Sequence, residues 1–106
     1  MWNLYRDYVL DANMEDSIIK VVLASERLAL KLYKKNIQDN EVELYFKKRV
    51  SIFKFAIKVK LISTEKYTTL IFFNSNFDLI NIIDKSQKKF VIKCFYYLLQ
   101  LDLDDL

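Results

Sequence analysis

The chain has no glycine, no proline and no histidine, and a single cysteine, in 106 residues. Each absence removes something. Without glycine there is no Walker A loop and no dinucleotide-binding fingerprint. Without histidine there is no Ser–His or Cys–His nucleophile pair, no histidine base and no histidine-containing zinc site. Cys94 alone forms no internal disulfide, which fits a reducing, cytoplasmic setting. No apolar run approaches the roughly 18 residues of a spanning helix, so no membrane span is expected. The opening "MWNLYRDYVLD" carries two acidic residues and no basic segment ahead of an apolar stretch, unlike a secretory signal. The lack of glycine also has a backbone consequence: any left-handed turn is expected to fall on Asn or Asp.

What is present describes a folded domain. The chain is 53% hydrophobic and 29% charged, which sets it apart from disordered sequences. Its length suits one globular domain over 1–106, able to bury a core without a disulfide or metal. Lys, Asn, Ile, Phe and Tyr are abundant and Ala and Arg scarce, a bias expected of an AT-rich genome such as a low-GC bacterium, its phages or a large virus.

Periodicity predicts an α+β domain: an N-terminal helix, a three-stranded antiparallel meander and a C-terminal helix. The first helix is expected over 13–36. Asn13 would cap it, with Asp16 completing a capping box; Ile18, Val21, Val22, Ser25, Leu28, Ala29, Leu32 and Tyr33 recur at helical spacing. Lys34 and Lys35 would occupy its last turn and Asn36 its left-handed stop. Leu4, Tyr5, Tyr8 and Val9 suggest a short helix upstream. Val42, Leu44 and Phe46 alternate with polar residues as in a strand, and "KKRVS" is expected to form a hairpin loop.

"FKFAIKVKLI" is the strongest strand signal. Phe53, Phe55, Ile57, Val59 and Leu61 share one face by period two, whereas a helix would scatter them. "STEK" is the next turn and "YTTLIFF" a third strand, expected to be covered on both faces. A short helix is expected near Phe77–Ile83. The last helix, capped by Ser86, would carry a stripe of Phe90, Val91, Cys94, Phe95, Leu98 and Leu99. An all-α bundle is the alternative, since short apolar runs are ambiguous. The predicted order is also that of double-stranded-RNA-binding domains, but the likeness is topological alone and their glycine-containing loops have no counterpart here.

The remaining chemistry is sparse, and the chain is expected not to be an enzyme and to need no cofactor. Glu41 with Glu43 is read as a solvated strand face, and Asp102, Asp104 and Asp105 as a solvated acidic tail. Cys94 is read as a buried structural thiol. Trp2, Tyr5 and Tyr8 form an aromatic N-terminal cluster, read first as core and second as a partner anchor.

Charge is the informative feature. Net charge is +3, yet residues 47–66 hold seven basic side chains against Glu65 alone. Lys54, Lys58 and Lys60 share the polar face of the central strand, and Lys47, Lys48 and Arg49 lie beside it. These six are the expected partner-binding residues. The bland explanation is that strand lysines discourage aggregation. The functional one is a positive patch for an acidic protein or for nucleic acid. Lysine in place of arginine favours backbone contacts over base reading, and the lysine face has no aromatic interleaved, so no stacking platform for a single strand is expected. The expected function is that of a small accessory, inhibitor, immunity or antitoxin-type protein of viral or phage character, monomeric or homodimeric, bound to an acidic protein surface. A sequence-nonspecific nucleic-acid-binding protein is the alternative.

Overall fold

A computed structural model describes residues 2–50, 53–75 and 93–100, with the backbone alone for several positions near strand ends. The elements run β1 (Trp2–Leu10), α1 (Met14–Arg27), β2 (Lys31–Ile37), β3 (Glu41–Val50), β4 (Phe53–Ser63) and β5 (Thr68–Ser75), followed by a helix, α2, over 93–99. The five strands form one antiparallel sheet in the order β1-β5-β4-β3-β2. The α+β class therefore holds, while the three-stranded meander is corrected to five strands. The expected helix near 77–83, the Ser86 cap, Phe90, Val91 and the Asp102–Asp105 tail lie outside the described residues, as do the side chains of Trp2, Tyr5 and Tyr8.

Both added strands come from segments with helical spacing. β1 is rich in aromatic and β-branched residues, which suit a strand. A register shift between Leu4 and Arg6 breaks the period-two signature. β2 takes the second half of the expected long helix, because α1 stops at Arg27. The stop is a Schellman motif: the N–H of Ala29 donates to Glu26 O at 3.1 Å and that of Leu30 to Ser25 O at 2.9 Å. Ala29 holds φ 57°, so an alanine, and not the expected Asn or Asp, supplies the left-handed residue. Once the chain turns there, Lys31–Ile37 gains a ladder on β3 that a continued helix would forfeit. At the other end Asn13 caps as expected, its Oδ1 accepting from the Asp16 N–H at 2.8 Å.

β1 and β2 run in the same direction at opposite edges of the sheet, and α1 carries the chain between them. A 14-residue helix is about 21 Å long. Four interstrand gaps span about 19 Å. The helix is thus long enough to cross the sheet and no longer. It buries Val21 and Ala24 on the face formed by Val42, Leu44, Phe46, Ile57, Val59, Leu61, Leu70 and Phe72. Phe95 of α2 meets Phe46 and Phe72 edge-on, with centroids 6.0 and 5.4 Å apart. Burial of each large side chain contributes about 1.5–3 kcal/mol. Thr68 is fully buried and its hydroxyl donates to Ala12 O at 2.9 Å, tying β5 to the β1–α1 turn.

β5 buries Thr68, Leu70 and Phe72 but leaves Thr69, Ile71 and Phe73 half-exposed, so it is covered on one face. Cys94 is half-buried, on the flank of the α2 stripe that Phe95 and Leu99 occupy, and not in the core as expected. Lys47–Val50 continue the ladder to Phe53 and do not form a loop. Both helices pack on one face of the sheet, and among the described residues no helix covers the other. No helix of the described residues is long and apolar enough to cross a membrane.

Candidate functional site

The face that no described helix covers is built from the alternate residues of every strand, because successive side chains point to opposite sides. Leu44, Val59 and Phe72 go to the core. Their neighbours Tyr45, Lys58 and Phe73 go to the open side, and the register places them directly beside one another across β3, β4 and β5. Lys34 of β2 completes the row opposite Tyr45. Cation and aromatic alternate along it. The Lys34 ammonium lies 5.0 Å from the Tyr45 ring centroid, and the Lys58 ammonium 6.0 Å from Tyr45 and 4.4 Å from Phe73.

A third ring comes from an irregularity. The β2–β3 register shifts between Leu32 and Lys34, making Tyr33 the extra residue of a bulge. Strict alternation would send Tyr33 and Lys34 to opposite faces. Instead the Tyr33 ring stands 6.2 Å from Tyr45, with the Lys47 ammonium 5.4 Å from its centroid. Sequence reasoning found no aromatic among these lysines because it looked along one strand. The rings lie on the strands either side, and pairing with the bulge brings them in.

Of the six expected partner-binding residues, the structure brings Lys47, Lys58 and Lys60 to the open face. Lys54 stands opposite Arg49 further along the same ladder. Lys48 alternates to the other side, where its ammonium donates to Leu28 O at 2.7 Å. A cation at the α1 C-terminus meets the negative end of the helix dipole. Lys31 and Lys34, absent from the expected set, belong to this face because Lys31 is paired with Lys47 and Lys34 with Tyr45. β2 is also an edge strand, and Lys31, Lys34 and Lys35 blunt it against strand addition.

Glu41 and Glu43 join the same surface. Glu43 lies 3.5 Å from the Lys58 ammonium, and Glu41 lies 2.7 Å from that of Lys60. The Lys58–Glu43 pair is the better shielded, with side chains 15% and 19% exposed. Asn36 Nδ2 donates to Glu43 Oε1 at 3.3 Å. The hydrogen bond to Glu41 raises the Lys60 pKa, against partial desolvation. Desolvation raises the Tyr33 pKa, and desolvation with the Glu43 charge raises that of Tyr45, so both phenols stay neutral at physiological pH. Among the described residues no cluster of acidic or cysteine side chains has the makings of a metal site. The surface presents π faces, ammonium groups on long stems and a few acceptors, the equipment for adhesion.

No family model matches the chain. No curated protein matches its sequence. Among solved structures, the vertebrate conserved region (VCR) of human METTL16 is similar, with a TM-score of 0.52 and 8% identity over 81% of this chain and 74% of that one. At that identity the likeness is one of fold alone.

Proposed function

We propose that the chain is a non-enzymatic binding domain that holds single-stranded nucleic acid on the open face of its sheet. The observation that carries the reading is the row Lys34, Tyr45, Lys58 and Phe73, in which ammonium groups and rings alternate across four strands. While Lys58 stays on Glu43, an exposed lysine such as Lys34 over Tyr45 can leave its ring for a phosphate. It gives up a cation–π interaction of about 0.5–1 kcal/mol at an exposed site. The ring face it vacates can take a base, at about 1–3 kcal/mol per stacked base. The exchange favours binding before any phosphate is counted. Stacking tolerates any base, and lysines supply point charges, so affinity rests on the backbone and on π faces.

The test is fluorescence anisotropy with a labelled single-stranded 12-mer across a salt series. Tyr45→Leu keeps an apolar side chain and removes the stacking face, and it should weaken binding about tenfold. Replacing Lys31, Lys34 and Lys47 with Gln should flatten the log–log salt slope by roughly 0.7 for each phosphate no longer neutralised. Binding unchanged in either variant, each shown to be folded, refutes the reading.

A second reading keeps the same lysines and changes the partner. An accessory, inhibitor or antitoxin-type protein would dock them on an acidic protein surface. It is supported by the gathering of Lys31, Lys34 and Lys47 at one end of the same face. Capture from host lysate with and without nuclease separates the two: a partner that survives nuclease and is absent with the lysine variant favours the protein.

A further inference from the structure

The open face is graded along the strand direction. Lys31 and Lys47 form a basic row on one side of the Tyr45 row. On the other side comes a row holding Asn36, Glu43 and Lys60, and beyond it Glu41. Successive rows are two residues, about 7 Å, apart. A polyanion is drawn to the basic side and less to the other, where Glu43 and Glu41 already neutralise Lys58 and Lys60. A strand whose bases rest on Tyr45 and its neighbours therefore lies with its phosphates toward Lys31 and Lys47. The hydrogen-bonding edge of the base on Tyr45 then points the other way, toward Glu43 and Asn36.

Glu43 is placed to meet that edge. One oxygen accepts from Asn36 at 3.3 Å and the other faces Lys58 at 3.5 Å, which fixes the carboxylate beside the ring. The Tyr45 hydroxyl also donates to Glu43; an ionised carboxylate has about four lone-pair sites and no donor, so one acceptor site remains. An acceptor attracts an exocyclic amino group, as a carboxylate does the N4 of cytosine, and repels a carbonyl. Thymine and uracil present a carbonyl where cytosine presents that amine.

We propose, resting on the nucleic-acid reading above, that Glu43 is a specificity residue that makes the face prefer bases carrying an exocyclic amino group, cytosine above all, over thymine and uracil. The preference arises one row away from the stacking surface, so affinity and selectivity are separable.

The experiment compares labelled dC and dT 12-mers, pyrimidines of matched size, on wild type, Glu43→Gln and Tyr45→Leu. Wild type should hold dC about fivefold more tightly than dT, the low end for one base-edge interaction. In Glu43→Gln the ratio should fall to near one, chiefly through tighter dT, because Gln offers a donor to the thymine carbonyl and drops a negative charge. Equal wild-type affinities, or a ratio that survives Glu43→Gln, overturns the proposal and leaves the binding reading intact. Absence of binding to both oligomers, or binding untouched by Tyr45→Leu, overturns the binding reading and this proposal with it.

Discussion

Ala29 is the one residue with positive φ among the described residues, and its replacement by glycine gives a measurable sign. An L-residue in the left-handed region costs about 1–2 kcal/mol. Glycine removes that cost but loses about 0.4–1 kcal/mol through the greater freedom of the unfolded chain. The Ala29 methyl is exposed, so no packing is forfeited. Ala29→Gly should therefore stabilise the domain by about 1 kcal/mol, or about 4 °C in Tm for a chain of this size. Urea unfolding followed by circular dichroism measures it, with the midpoint rising and the slope unchanged. Ala24→Gly, five residues earlier and fully buried in α1, is the control of opposite sign and should cost at least about 1 kcal/mol. Were α1 continuous through Ala29 to Asn36, Ala29→Gly would destabilise by about the same amount as any interior helix glycine. A loss of stability at Ala29 would thus refute both the Schellman stop and the assignment of β2.

Ile57→Asp should lower stability by several kcal/mol and unfold the domain in mild denaturant, since Ile57 is fully buried. Lys58→Ser, one residue away on the open face, should cost less, about 1–2 kcal/mol for its ion pair and two ring contacts. Asn13→Ala removes the cap on the Asp16 N–H and should cost about 1 kcal/mol, read as a lower urea midpoint. Alkaline pH should destabilise the fold. Tyr33, Tyr45 and Lys60 all have folded pKa values raised above 10.0, 10.0 and 10.5, so the folded state holds their protons longer. Their contribution is whole below the unfolded values and is lost as pH climbs past them, so thermal melts from pH 9 upward should show a falling Tm. Absorbance at 295 nm should show two tyrosines ionising later than in the unfolded chain.

The sequence alone determined what is written in local pattern. The alternation over 53–61 marked β4, and its buried side is seen at Ile57, Val59 and Leu61, though Ala56 on the lysine side is buried too. Val42, Leu44 and Phe46 settled β3, and Asn13 with Asp16 marked where α1 begins. The concentration of charge in residues 47–66 and the missing histidine and glycine bounded the chemistry. What only tertiary structure decided depends on partners distant in the chain. Lys31–Ile37 has residues that suit helix or strand, and the open edge of β3 chose the strand. Trp2–Leu10 pairs with a segment more than 50 residues away, and its bulge hid the strand period. The left-handed Ala29 leaves no mark in composition, because the hydrogen bonds that hold it come from the helix end. The candidate site is of the second kind. Its lysines were legible, but Tyr33, Tyr45 and Phe73 reach them only through strand register and one extra residue in β2. A sheet surface is assembled across strands, at right angles to the direction in which a sequence is read.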